Sequence, residues 1–183
     1  ILSRDTVLKN GIANFSADLS WLFTKYDRFG RVVYTGITRD TNPRNTIQNT
    51  IDNQLADTFE TRGGSFTLNG VSIEYGNTSY PTAVDKLLTV NYYDTYPQGA
   101  PAVGTVLGQE VLPQTTQNSD VSTKSLPTAS YTKNIENDGW TKSYTYYDKK
   151  GRAIATHSLN HLGGYTKTES FLKFSGVPEY SLV

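Results

Sequence analysis

From Leu19 onward the chain alternates. Trp21, Phe23 and Lys25 fall in one phase, and Leu22, Thr24 and Tyr26 in the other. That is the period of two expected of a half-buried strand, and residues 31–37 predict its return partner. The pattern recurs over 65–75 around Asn69-Gly70, the preferred two-residue hairpin turn. It recurs again over 86–93, over 123–134 and 140–148 around Asn137-Asp138-Gly139, and over 152–158 and 165–174 either side of His161, Gly163 and Gly164. One stretch has a different period. Ile47, Ile51, Leu55 and Phe59 recur every four residues behind Asn42-Pro43 and ahead of Gly63-Gly64. A capping Asn, a first-turn Pro and a left-handed glycine stop predict one amphipathic helix over 43–62 that covers apolar surface. Residues 1–19 predict a strand and a loop. Residues 95–125, with Pro97, Pro101, Pro113 and a polar tract from Gln114, predict a long loop or excursion. The expected fold class is mainly β, built of antiparallel hairpins with one inserted helix.

Composition narrows the function. At 183 residues the chain fits a single β-rich domain. Lys plus Arg and Asp plus Glu both number 17, so the net charge is zero, which removes the usual electrostatic case for nucleic acid or an anionic membrane. The absence of Cys excludes disulfides, thiolate metal sites and a Cys nucleophile. The absence of Met, even at position 1, predicts a piece of a longer polypeptide or a processed product. No apolar run approaches the ~20 residues of a membrane-spanning helix.

Two segments repeat each other. Tyr26-Asp27-x-x-Gly30-Arg31 is echoed by Tyr147-Asp148-x-x-Gly151-Arg152, each after an aromatic, Thr-rich lead-in. An Asp that bonds its own backbone and a Gly free to take positive φ make this a turn builder. Tyr93-Asp94 and Gly99 form a third, degraded copy without the Arg. In such turns Asp27 and Asp148 would bond backbone amides, Gly30 and Gly151 would take the left-handed position, and Arg31 and Arg152 would pair with an acid of a neighbouring turn.

The Tyr-Asp-x-x-Gly-Arg hairpins resemble the repeat of RHS/YD-repeat proteins. The wider wording is similar to a Bacteroidota branch of that family, in Trp21 to Asp27, Leu87 to Asp94, Ser125 to Tyr131 and His157 to Glu169. The resemblance implies an internal segment of a large secreted or surface-exposed protein. Hairpins of such proteins spool into a curved shell, which in many encloses a toxin domain. The partner so implied is the remainder of the parent polypeptide, met through strand edges.

Catalytic chemistry is sparse. His157 and His161 are four apart, but position 158 is Ser where a zinc-protease helix needs Glu, and the segment reads as strand and turn. Glu60, Glu74, Glu110, Glu136, Glu169 and Glu179 are scattered and read as solvated acids. No phosphate loop or nucleophile elbow occurs. The expectation is a non-enzymatic scaffold with no cofactor and no metal. The rival reading is a carbohydrate- or protein-binding β module that stacks ligand on exposed Trp21, Tyr92, Tyr93, Tyr96 and Trp140.

Overall fold

The computed structural model describes residues 2–3, 20–53, 58–114 and 121–183. Most of the expectation for residues 1–19, and part of that for the helix and for the 95–125 excursion, lies outside them. Among the described residues the chain is mainly β, with antiparallel strand pairing and one helix. Where composition predicts one domain, it clusters into two compact units, Ile1–Val90 and Asn91–Val183.

In the first unit β1 (Leu2–Ser3), β2 (Ser20–Tyr26), β3 (Val32–Arg39) and β6 (Lys86–Tyr93, which ends in the second unit) lie in that order. β4 (Arg62–Leu68) and β5 (Val71–Tyr75) form a separate hairpin. Its turn is the Asn69-Gly70 pair, with φ of 52° and 77°, as the sequence predicts. Trp21, Phe23 and Lys25 are all buried in β2, so the alternation is real and includes its charged member. Tyr34, Tyr75 and Phe66 meet edge-on or tilted, with centroids 5.8–6.4 Å from Tyr34.

The helix is shorter than its periodicity predicts. α1 spans Arg44–Asp52. Residues 58–59 are bends, Glu60 forms an isolated bridge with Asp27, and β4 begins at Arg62. Gly63 has positive φ, but inside a strand rather than at a helix end. The four-residue period suits a helix, but the Glu60 amide bonds the Tyr26 carbonyl at 2.8 Å and Arg62 already pairs with Tyr75. Sheet pairing thus claims the backbone that a longer helix would need. Nor does Asn42 cap the helix: its side chain bonds Asp40, and Pro43 stands at the N-cap itself.

In the second unit β9 (Pro127–Lys133), β10 (Trp140–Tyr147), β11 (Ala153–Leu159), β12 (Tyr165–Leu172) and β13 (Pro178–Leu182) follow one another in space as in sequence. β13 is not apparent from the alternation. The excursion before β9 carries a two-residue hairpin, β7 (Thr105–Val106) with β8 (Gln109–Glu110). The strand order of neither unit closes on itself.

Four hairpins share one five-residue turn. Its first residue donates its N–H to the carbonyl of the fifth, and the fourth, a glycine, donates back to the first. The distances are 2.9 and 3.0 Å at 27–31, 2.9 and 2.9 Å at 148–152, 2.8 and 3.0 Å at 160–164, and 2.9 and 2.9 Å at 173–177. Gly30, Gly151, Gly163 and Gly176 take φ of 73–88°, the region glycine enters without steric cost.

Candidate functional site

The turn residues are arranged around the Asp. Asp27 Oδ1 accepts the amides of Phe29 and Arg31, both at 2.9 Å. Asp148 Oδ1 accepts those of Lys150 and Arg152 at 2.9 and 3.0 Å. Arg31 and Arg152 return to the Asp of their own motif, each Nε lying 2.7 Å from Oδ2, which corrects the expectation of an acid on a neighbouring turn. Arg152 does reach a neighbouring turn, but through carbonyls: Nη1 donates to Lys173 O and Phe174 O at 3.0 and 3.1 Å. Burial pushes the Asp148 carboxyl upward, but the bonds from Arg152 and the turn amides outweigh it and hold the group below the usual carboxylate range.

The carbonyl before each Asp anchors a covering segment. Tyr26 O accepts Glu60 N at 2.8 Å, and Tyr147 O accepts Leu112 N at 2.7 Å. Tyr147 is buried, with its hydroxyl on Pro127 O, while Tyr26 is half-buried. In each copy the motif residues hold a hairpin turn together and anchor a covering strap.

Of the five aromatics offered for stacking, Trp21 and Tyr92 are 6% and 0% exposed and have no face to offer a ligand. Tyr93, Tyr96 and Trp140 are half-buried. Tyr96 stacks on Tyr146 with centroids 5.1 Å apart, beside a cleft of about 560 Å³ lined by Pro97, Pro101 and Pro113. Both hydroxyls are spent on backbone, Tyr96 on Thr145 O and Tyr146 on Pro101 O, each at 2.7 Å.

The densest chemistry lies in the first unit, on residues the sequence reading passed over. β2 carries Lys25 into the core, where its side chain is 1% exposed and that of Glu60 0%. Glu60 is thus a buried acid and not a solvated one. Lys25 Nζ donates to Glu60 Oε1 at 2.9 Å, to Asn77 Oδ1 at 2.5 Å and to Ser79 O at 2.8 Å. Glu60 also accepts Ser79 N and Oγ at 3.0 and 2.7 Å and Thr78 N at 3.1 Å. From β3, Tyr34 donates its hydroxyl to Gly76 O at 3.0 Å and lies 3.3 Å from Asn77 Oδ1. Its ring centroid is 5.3 Å from Nζ.

Desolvation lowers the Lys25 ammonium below the ordinary lysine value, against the pull of Glu60. Burial pushes Glu60 up, but Ser79, Lys25 and the Thr78 amide together bring it below the usual carboxylate range. Burial, reinforced by the Glu60 charge, keeps the Tyr34 phenol protonated far above its usual range.

His157 is a second buried titratable group. It is 4% exposed, and neither ring nitrogen has a hydrogen-bond partner. Tyr146 and Tyr165 flank it with centroids at 4.8 and 5.8 Å, Tyr144 and Lys167 are its strand partners, and Glu169 pairs with Lys167 at 2.7 Å. His161 is exposed in the next turn, so the two imidazoles do not converge, and no group of three metal-binding side chains occurs among the described residues.

Desolvation, and then the Lys167 charge, lower His157 below the ordinary histidine value, while Glu169 opposes them. The unfolded chain therefore takes up a proton near pH 6.5 that folded His157 resists. Stability is at its full value above that pH and is lost as pH falls toward the lowered folded value. Carboxylates held low begin to act only near about pH 5, at the lower end of that window. Thermal unfolding between pH 7 and pH 5 is expected to show a falling midpoint for the parent and a flatter one for His157→Phe. Parallel curves for the two proteins would remove His157 as the cause.

No protein-family model matches the chain, and no curated protein or solved structure matches it either.

Proposed function

We propose that the chain is a non-enzymatic structural β segment of a larger RHS/YD-like protein, secreted or displayed on a bacterial surface. In this reading its hairpins add side by side to a wall that curves through the ordinary twist of paired strands. The parent would be a toxin-enclosing shell or an adhesin. The observation that carries the proposal is the four-fold use of one turn. Two copies bear the full Tyr-Asp-x-x-Gly-Arg wording, and the carbonyl before the Asp docks a covering strap in each. The partner is the remainder of the parent polypeptide, met at strand edges. β13 supports this: it lies at one end of the strand order, all five of its residues are exposed, and Tyr180 and Leu182 remain 48% and 53% accessible. An open apolar edge of that kind is a template for further pairing.

Sedimentation velocity over a wide concentration range is the test. The parent chain is expected to associate as concentration rises, and Tyr180→Lys, which places a charge on the edge, is expected to suppress that association. A chain that stays monomeric throughout would sink the edge-pairing reading.

A further inference from the structure

The Lys25 cluster is more than an ion pair. An amine, an amide carbonyl and a carboxylate meet in one water-poor site, with a phenol beside the carbonyl. We infer that Lys25 and Asn77 become joined by an intramolecular amide bond that the protein forms on itself, with Glu60 as the proton carrier. The inference goes beyond the scaffold reading and does not rest on it.

The geometry supplies each requirement. Nζ lies 2.5 Å from Asn77 Oδ1, so the amide carbon is less than about 4 Å from the amine, near the separation of a near-attack pair. Glu60 Oε1 also sits within reach of the amine, 2.9 Å from Nζ. Transfer of a proton from Lys25 to Glu60 converts two desolvated charges into two neutral groups; burial favours the change, while the donors that hold Glu60 low oppose it. The free amine then attacks Asn77 Cγ. Negative charge gathers on Oδ1, 3.3 Å from the Tyr34 hydroxyl, whose single proton turns to it from Gly76 O.

Collapse of the adduct breaks the Cγ–Nδ2 bond. The Nζ–Cγ bond remains, and its nitrogen keeps one hydrogen. Nδ2 departs with its own two hydrogens, one more from Nζ and the proton carried by Glu60, so it leaves as ammonium and Glu60 is a carboxylate again. No oxidant or cofactor is consumed. Nδ2 bonds Thr82 O at 2.7 Å on the exposed side of Asn77, so the leaving group faces solvent while the new bond forms inside.

The surroundings fit a reactive site. Gly76 carries no side chain where a Cβ would stand 3.0 Å from Glu60 Oε2, which lets the 76–79 segment close over the carboxylate. The bond would tie β2 to the loop after β5, across 52 residues of chain. Such a cross-link restricts the unfolded state as a disulfide does, in a chain that has no cysteine.

The test is the intact mass of the full chain, followed by tryptic mapping. The parent is expected to be lighter than its sequence mass by one ammonia. It should yield a branched peptide joining residues 10–28, uncut at Lys25, to residues 63–86. Asn77→Asp should give the same branched peptide with loss of water in place of ammonia. Glu60→Gln should keep its sequence mass and release the two peptides separately. A folded parent at full sequence mass, with Lys25 and Asn77 in separate linear peptides after prolonged incubation, overturns the inference. Complete linkage in Glu60→Gln overturns the role given to Glu60. If Glu60→Gln does not fold, the parent and Asn77→Asp masses decide.

Discussion

Glu60→Ala is expected to destabilise the protein by about 3–5 kcal/mol, the cost of breaking a buried pair from one side. The acid is fully buried and holds Lys25, both donors of Ser79 and the Thr78 amide. Its removal leaves an ammonium in the core with only Asn77 Oδ1 and Ser79 O for acceptors, and strands two backbone N–H groups. Lys25→Met should cost at least about 1 kcal/mol less, because Glu60 would keep its donors from residues 78 and 79. The Lys25→Met, Glu60→Gln double variant should cost less than the sum of its parts, as coupled neighbours do. Denaturant unfolding measures all three. The same cycle in an Asn77→Ala background isolates the ion pair from any covalent link. If Glu60→Ala unfolds within about 0.5 kcal/mol of its parent, the pair is not the anchor its burial indicates.

That pair shows where sequence reading stops. The phase of Lys25 with Trp21 and Phe23 was visible, and a lysine on the apolar face of a strand calls for a buried partner. What the sequence does not show is which of many acids folds back to it. Glu60 stands 35 residues away, in a stretch whose four-residue period mimics a helix. Local period cannot reveal that a distant carbonyl, Tyr26 O, will claim the Glu60 amide. The turns were more legible because their determinants are local. Asp at the first position and Gly at the fourth marked two copies, and Asn160 with Gly163 repeats the chemistry, with Oδ1 accepting Leu162 N and Gly164 N. The copy at 173–177 begins with Lys and has no side-chain acceptor. Its carbonyls are held instead by Arg152 of the 148–152 turn, two turns back, a tertiary contact with no local signature. β13 escaped for the same reason: Pro178 to Leu182 is defined by pairing with β12, not by its own alternation.

Gly36→Val is the other change with a large expected effect, and its reason is space rather than φ. A Cβ at Gly36 would stand 2.5 Å from Lys86 O and 2.6 Å from the Phe23 ring tip, closer than real side chains come. Phe23 is the direct cross-strand partner of Gly36, its ring lying over the bare backbone, a pairing that shields a strand glycine. The β3–β6 register shifts between Thr35 and Gly36, which brings the Lys86 carbonyl in. Valine must displace both a core aromatic and a backbone oxygen, so the cost is expected at or above the upper end of the ~1–3 kcal/mol typical of overpacking. Phe23→Leu added to Gly36→Val should recover only part of that loss, since the ring can be removed but the carbonyl cannot. The second YD hairpin solves the same problem in reverse. Counted from the Asp, Gly36 corresponds to His157 and Tyr34 to Ala155, and each large residue is matched by a small one two positions away. Each hairpin therefore carries bulk at one of these two positions and not at both. Gly36→Val with Tyr34→Ala, measured against each single variant, tests this directly. Additive losses would show that the two positions do not share one volume, and a loss smaller than the sum would show that they do.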